Sequence, residues 1–121
     1  MLYHGTRQND PKNIYSGKEG FDMRFSPGGM WGPANYFAAN ASYSDYYAHK
    51  TSDAKQMFLA RVIVGNSKTC NPNKNLKMPP AIKAENPHDL HDSVHGYTGG
   101  SDVFIIYTNK QAYPEYLITY L

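Results

Sequence analysis

One cysteine in 121 residues, Cys70, leaves no partner for an internal disulfide. Charge of either sign is scarce. Twelve Lys and Arg stand against ten Asp and Glu, a formal net charge of +2, too small an imbalance to indicate nucleic acid or a membrane surface by itself. No apolar run approaches the ~20 residues that cross a bilayer. The first residues carry no basic and apolar signal segment, so an intracellular protein, cytoplasmic or nuclear, is expected. The sequence also has no Walker-type phosphate loop, no Gly-x-Gly-x-x-Gly after a strand, no Gly-x-Ser-x-Gly elbow and no Cys-x-x-Cys pair. These absences exclude a P-loop site, a Rossmann site and a serine-hydrolase nucleophile.

Tyrosine is in excess, with 11 residues. A tyrosine buries a flat ring while keeping a hydroxyl for hydrogen bonding, so tyrosine-rich surfaces suit planar polar ligands, although most of the eleven should serve the core. The length suits one domain whose fold buries roughly 65% of the unfolded surface. His88, His91 and His95, with Asp89 and Asp92, have a spacing that would share a helix face and hold a metal. Pro87, Ser93, Gly96 and Gly99 argue against a helix there, so an exposed polar loop and no metal are expected. Lys68, Lys74, Lys77 and Lys83 form a basic strip. It reads as a solvated loop, with attraction of an acidic protein or a nucleic acid as its functional alternative.

Along the chain, residues 2–6 read as a strand broken by Gly5, where a planar ligand could lie against the main chain. His4 beside it could donate to a ribose hydroxyl. Residues 11–16 read as one or two helical turns with Pro11 in first position. Glycine and proline mark residues 22–33 as a loop, yet Arg24, Phe25, Met30 and Trp31 in it call for a ligand or a core. A strand at 35–38 leads to a helix over 41–50, with Asn40 as N-cap and Tyr43 and Tyr47 at i and i+4. Residues 57–64 form the strongest strand signal. Residues 67–100 read as one long loop, and such loops are often functional. Residues 103–107 and 112–121 are strands, Pro114 lying at a strand start or an edge. The sum is an α+β sheet domain.

Three stretches then fall together: Leu2-Tyr3-His4-Gly5-Thr6; Gly32-x-x-x-Tyr36-Phe37-Ala38-x-x-Ala41-Ser42-Tyr43-Ser44-x-x-Tyr47; and Gln111-Ala112-Tyr113-Pro114-Glu115-Tyr116-Leu117-Ile118. They resemble the catalytic domain of the poly(ADP-ribose) polymerase family, the histidine–tyrosine class of ADP-ribosyltransferases, and the last stretch is similar to the mono-ADP-ribosylating branch. The resemblance runs from His4 to the end of the chain. It implies a split, mostly antiparallel sheet with short helices, a minimal single domain over residues 1–121, and NAD as co-substrate without a metal.

It also implies roles. His4 would bond the adenine-side ribose, and Gly5 and Ser44 the nicotinamide carboxamide. Tyr36 and Tyr47 would line and sandwich the nicotinamide ring, with Thr6 and Tyr43 beside them. The loop 22–33 would cover NAD, bringing Arg24 near the adenosine or phosphates. The family's third signature residue, a glutamate in polymerising members, falls at Val103, giving the set His4, Tyr36, Val103. Valine cannot bond a ribose hydroxyl, so chain elongation is not expected. Asp102 is adjacent but should face the other side of its strand unless a bulge turns it. Asp92-Ser93-Val94 resembles a family stretch that shapes the acceptor side. The expected activity is transfer of one ADP-ribose from NAD to a protein, itself included, by a monomer. A catalytically silent NAD- or ADP-ribose-binding module and a transferase acting on nucleic-acid ends are the alternatives.

Overall fold

The computed structural model describes residues 1–26 and 28–121. Pro27, within the expected NAD-covering loop, lies outside the described residues. Among those described, eight strands form one sheet: β1 (Leu2–His4), β2 (Asn35–Ala38), β3 (His49–Lys50), β4 (Lys55–Val62), β5 (Ser67–Thr69), β6 (Ser93–Thr98), β7 (Ser101–Ile106) and β8 (Ala112–Tyr120). Two short helices, α1 (Lys12–Tyr15) and α2 (Ala41–Asp45), and a 3-10 turn at Met23–Phe25 complete the elements.

The apolar, β-branched run becomes β4, the strand with the most neighbours. β8 pairs with it from Lys55 to Val62, with an irregularity at Leu59/Ala60 that leaves Glu115 unpaired in the register. The opposite edge of β4 is shared end to end by β3 and β1. β2, β7 and β6 continue the sheet by antiparallel pairing, and β5 closes it by parallel pairing with β6. β1 and β2 meet through one register pair, Tyr3–Ala38. That seam is the split: β1, β3, β4 and β8 lie on one side, and β2, β5, β6 and β7 on the other.

Strand alternation builds two cores on opposite faces. In β2 and β7, Ala38, Val103 and Ile105 join Trp31, Val94 and Tyr107 on one face. Phe37 and Ile106 turn the other way to join Ile14, Phe21, Phe58 and Ala60.

Two expectations are corrected. The helix expected over 41–50 ends at Asp45, because His49 and Lys50 are drawn into pairing with β4. The connecting turn 51–54 is closed by Thr51, whose N–H and hydroxyl both donate to the Ala54 carbonyl. The loop expected over 67–100 contains β5 and β6. Ser93-Val94-His95-Gly96-Tyr97-Thr98 lacks a β-branched run, but Gly96 lies directly beneath the Trp31 indole, where any Cβ would overlap the ring. A glycine that looks like a breaker in sequence is here a central strand residue making room for tryptophan.

Candidate functional site

His4 ends β1 at the seam. Its ring packs against Phe21 and Phe37, with both centroids 5.1 Å away. Nδ1 lies 2.6 Å from the Tyr36 carbonyl oxygen on β2. A carbonyl can only accept, so Nδ1 carries the hydrogen and the neutral ring leaves Nε2 as an acceptor. Burial lowers the His4 pKa, and the Tyr36 carbonyl opposes that in part. Nε2 is therefore set to accept a hydrogen bond, where a donor to a ribose hydroxyl was expected. The same bond ties the two sides of the seam.

Tyr36 points to the other face. Its hydroxyl accepts from the Trp31 N–H at 2.8 Å and donates to the Gly32 carbonyl at 2.7 Å. Burial raises its pKa. Gly29 lies against the ring, where a Cβ would come within 2.7 Å of Cζ. Trp31, 1% exposed, donates from Nε1 to the Cys70 carbonyl and accepts from the Tyr107 hydroxyl at its own carbonyl. The tyrosine expected to line the ring site thus holds the loop expected to cover NAD, and Trp31 pins that loop to the segment that follows β5.

Gly5, Ser44, Tyr43 and Tyr47 are brought together. A Cβ on Gly5 would overlap the Tyr47 carbonyl, so this glycine is required for the close approach of the β1 end to the chain leaving α2. Ser44 is buried on α2. The Tyr43 and Tyr47 rings are 5.3 Å apart and tilted by 50°; burial, then the Tyr47 hydroxyl, push the Tyr43 phenol pKa up. Thr6 donates its hydroxyl to the Asn9 carbonyl, closing the turn that follows.

Arg24 is elsewhere in its loop. Its Nε donates to Asp22 Oδ2 at 2.8 Å and its Nη2 to the same oxygen at 2.5 Å. Those bonds hold the Asp22 carboxyl below the usual carboxylate range and raise the Arg24 pKa. The cation expected near the phosphates is already paired, although its side chain is 79% exposed. Val103 is fully buried in the Trp31 core. Asp102 pairs in register with Tyr97 and faces away from Val103, accepting from His95 Nε2 at 2.8 Å if the neutral ring carries its hydrogen there. No bulge turns it back. Thr69 Oγ1 is 2.9 Å from the other nitrogen of the same ring. Asp92 accepts from the Asn66 N–H, Ser93 donates to the Val64 carbonyl and Gln111 donates to the Asp92 carbonyl. This stretch therefore joins β6 to the chain leaving β4.

Two open hollows lie beside other residues. One, of about 610 Å³, is lined by Ser42, Asp45, Tyr46, Met57 and Tyr120 among others. The second, of about 510 Å³, is lined by Glu19, Asp22, Arg24, Asn109 and Lys110 among others. His4, Tyr36 and Ser44 line neither.

Sequence reasoning missed Arg7. Its guanidinium carbon lies 4.3 Å from the centroid of the Tyr47 ring, and its backbone has φ +52°. The only signal in sequence was its place three residues after His4.

The profile of the "Poly(ADP-ribose) polymerase catalytic domain" family matches residues 1–121. A Dictyostelium discoideum protein named "Probable poly [ADP-ribose] polymerase" is 46% identical over 98% of this chain and 33% of its own length. Protein mono-ADP-ribosyltransferase PARP12 of Mus musculus is 33% identical over 99% of this chain and 16% of its own length. PARP14 of Homo sapiens, also named a protein mono-ADP-ribosyltransferase, is 32% identical over 99% and 7%. The chain thus spans a third or less of the length of these relatives. With the split sheet, the His4–Tyr36 bond across the seam and a profile match over every residue, the chain belongs to the poly(ADP-ribose) polymerase catalytic domain family.

Proposed function

We propose that this domain transfers a single ADP-ribose from NAD to an acceptor side chain on protein, itself included, and releases nicotinamide. The observation that carries the single-transfer reading is Val103: the third signature position is apolar and fully buried, so it offers no bond to a ribose hydroxyl. Relatives named mono-ADP-ribosyltransferases support it.

In this reading His4 Nε2 accepts from a hydroxyl of the adenine-side ribose, its tautomer fixed by the Tyr36 carbonyl. Gly5 and Ser44 hold the carboxamide, and Tyr47 stacks on the ring. The bond between ribose and nicotinamide breaks with its electron pair going to the ring nitrogen, which is already cationic and leaves neutral. The acceptor oxygen bonds the anomeric carbon. Cleavage through an oxocarbenium-like state asks mainly for positioning and exclusion of water. No general base on this chain is needed if the acceptor is a carboxylate.

The buried valine also favours a second reading, a module that binds NAD or ADP-ribose without transfer. Incubation with NAD and acceptors, followed by mass spectrometry, separates them. Addition of one ADP-ribose with nicotinamide release supports the enzyme; binding without either supports the silent module. Phosphorylated RNA ends in place of protein test the acceptor class. His4→Ala is expected to abolish transfer, and full activity in that variant would refute the assigned donor site.

A further inference from the structure

The loop after Gly5 holds the one described non-glycine residue with a left-handed backbone, Arg7 at φ +52°. For an arginine this conformation costs on the order of 1 kcal/mol or more, so the surroundings must fix it. They do so at both ends of the residue. The Arg7 N–H donates to the Tyr47 carbonyl at 2.7 Å. The Arg7 carbonyl accepts from His49 Nδ1 at 2.7 Å. The turn so held lays the guanidinium over the Tyr47 ring. Among the described residues this cation has no carboxylate partner, unlike Arg24 and Arg61, which are paired with Asp22 and Glu115. Its charge is left to the ring face.

We infer that Arg7 is a positioning residue for Tyr47: it occupies one face of the ring, fixes the ring plane, and leaves the other face as the stacking surface for nicotinamide. The inference rests on the proposed donor site. The physical basis is that a guanidinium stacks flat on an aromatic face and holds it by cation–π attraction. Tyr47 lies past the end of α2, its main chain held by its own N–H on the Ser44 carbonyl and by the Arg7 N–H on its carbonyl, which leaves the plane of the ring to its side-chain neighbours. Tyr43 contributes a tilted neighbour at 5.3 Å, and Gly5 only the backbone floor. Arg7 is the group whose charged end lies over the ring, its guanidinium carbon 4.3 Å from the centroid. The strained φ is then tied to function, since the left-handed turn is what aims the side chain back at Tyr47.

The test uses the full chain with nicotinamide alone as probe, binding being read by calorimetry, and with NAD in the transfer assay. Arg7→Asn keeps a residue that adopts positive φ readily but removes the cation. It is expected to weaken nicotinamide binding and raise the KM for NAD by about two- to fivefold, with a smaller change in kcat. Arg7→Lys should recover part of the loss. In a Tyr47→Ala background, Arg7→Asn should change nothing further, which a general contribution to folding would not produce. Thermal melts of each variant set a measuring temperature below unfolding. Unchanged binding in Arg7→Asn while the unaltered chain binds nicotinamide overturns the inference alone. So does tighter binding, the outcome expected if the guanidinium occupies the ligand's own face of the ring. Absence of nicotinamide and NAD binding by the unaltered chain overturns the proposed donor site, and the inference with it.

Discussion

His4 combines two demands at one side chain. Its Nδ1–H is committed to the Tyr36 carbonyl, and its ring lies between two phenylalanines. Burial lowers its pKa below the ordinary value of 6.5. Below pH 6.5 the unfolded chain takes up a proton that the folded chain refuses, so this group's contribution to stability is present above that pH and is lost as the pH falls through the folded pKa. The melting temperature is therefore expected to drop between pH 7 and pH 5, and His4→Gln should flatten that slope. Activity should hold through that window and fall only at lower pH, as the pH passes the depressed folded pKa and protonation removes the Nε2 lone pair that the proposed site offers to the ribose. A melting curve as steep in His4→Gln as in the unaltered chain would assign the acid sensitivity to other groups. That His4 and Tyr36 belong to one arrangement was suggested by the family resemblance, and the fold joins them by a hydrogen bond. The direction of the His4 hydrogen bond was not legible in the sequence, because it depends on which strand the ring meets across the sheet.

At the level of elements, α2 carries Ser44, and one side of it is tied down. The Tyr120 hydroxyl at the end of β8 donates to Asp45 at 2.5 Å, and Lys55 reaches the same carboxyl at 3.3 Å. The Tyr120 bond is the first cause holding the Asp45 carboxyl below its usual range, Lys55 the second. Tyr120→Phe should raise the Asp45 pKa and speed amide exchange in Ala41–Asp45, both measurable by NMR; unchanged exchange would mean that the helix is held by its packing alone. Strong strand patterns read correctly at β4, β7 and β8, since long apolar or β-branched runs have few alternatives. The misses have one cause. β3, β5 and β6 are short or polar strands that no apolar run marks, so their pairing is decided by what lies opposite them, and α2 yields its last turns to such a pairing. Gly96 illustrates it: only the position of Trp31, 65 residues away, makes a strand glycine there sensible.

Across the whole molecule, the two cores lie on opposite faces of one sheet, and the seam between β1 and β2 has a single register pair. Damage to one face should therefore open that face first. Phe58→Ala removes a fully buried ring from the core that holds Ile14, Phe21 and Phe37, at an expected cost of about 3–5 kcal/mol. Hydrogen exchange should quicken first in α1, β1 and β4, while β6 stays protected; uniform loss of protection would show that the faces unfold as one unit. The end of the 22–33 loop is anchored in the other core, through an indole that hydrogen-bonds the Cys70 carbonyl and a main-chain N–H that meets the Tyr36 hydroxyl. That indole belongs to the only tryptophan in the chain, among 11 tyrosines. Light absorbed by any of those phenols and passed on to the indole is re-emitted from one place, the Trp31 end of that loop. The emission colour of the unlabelled protein is therefore a local gauge of that loop, blue while the ring stays dry beneath its neighbours and red once water reaches it.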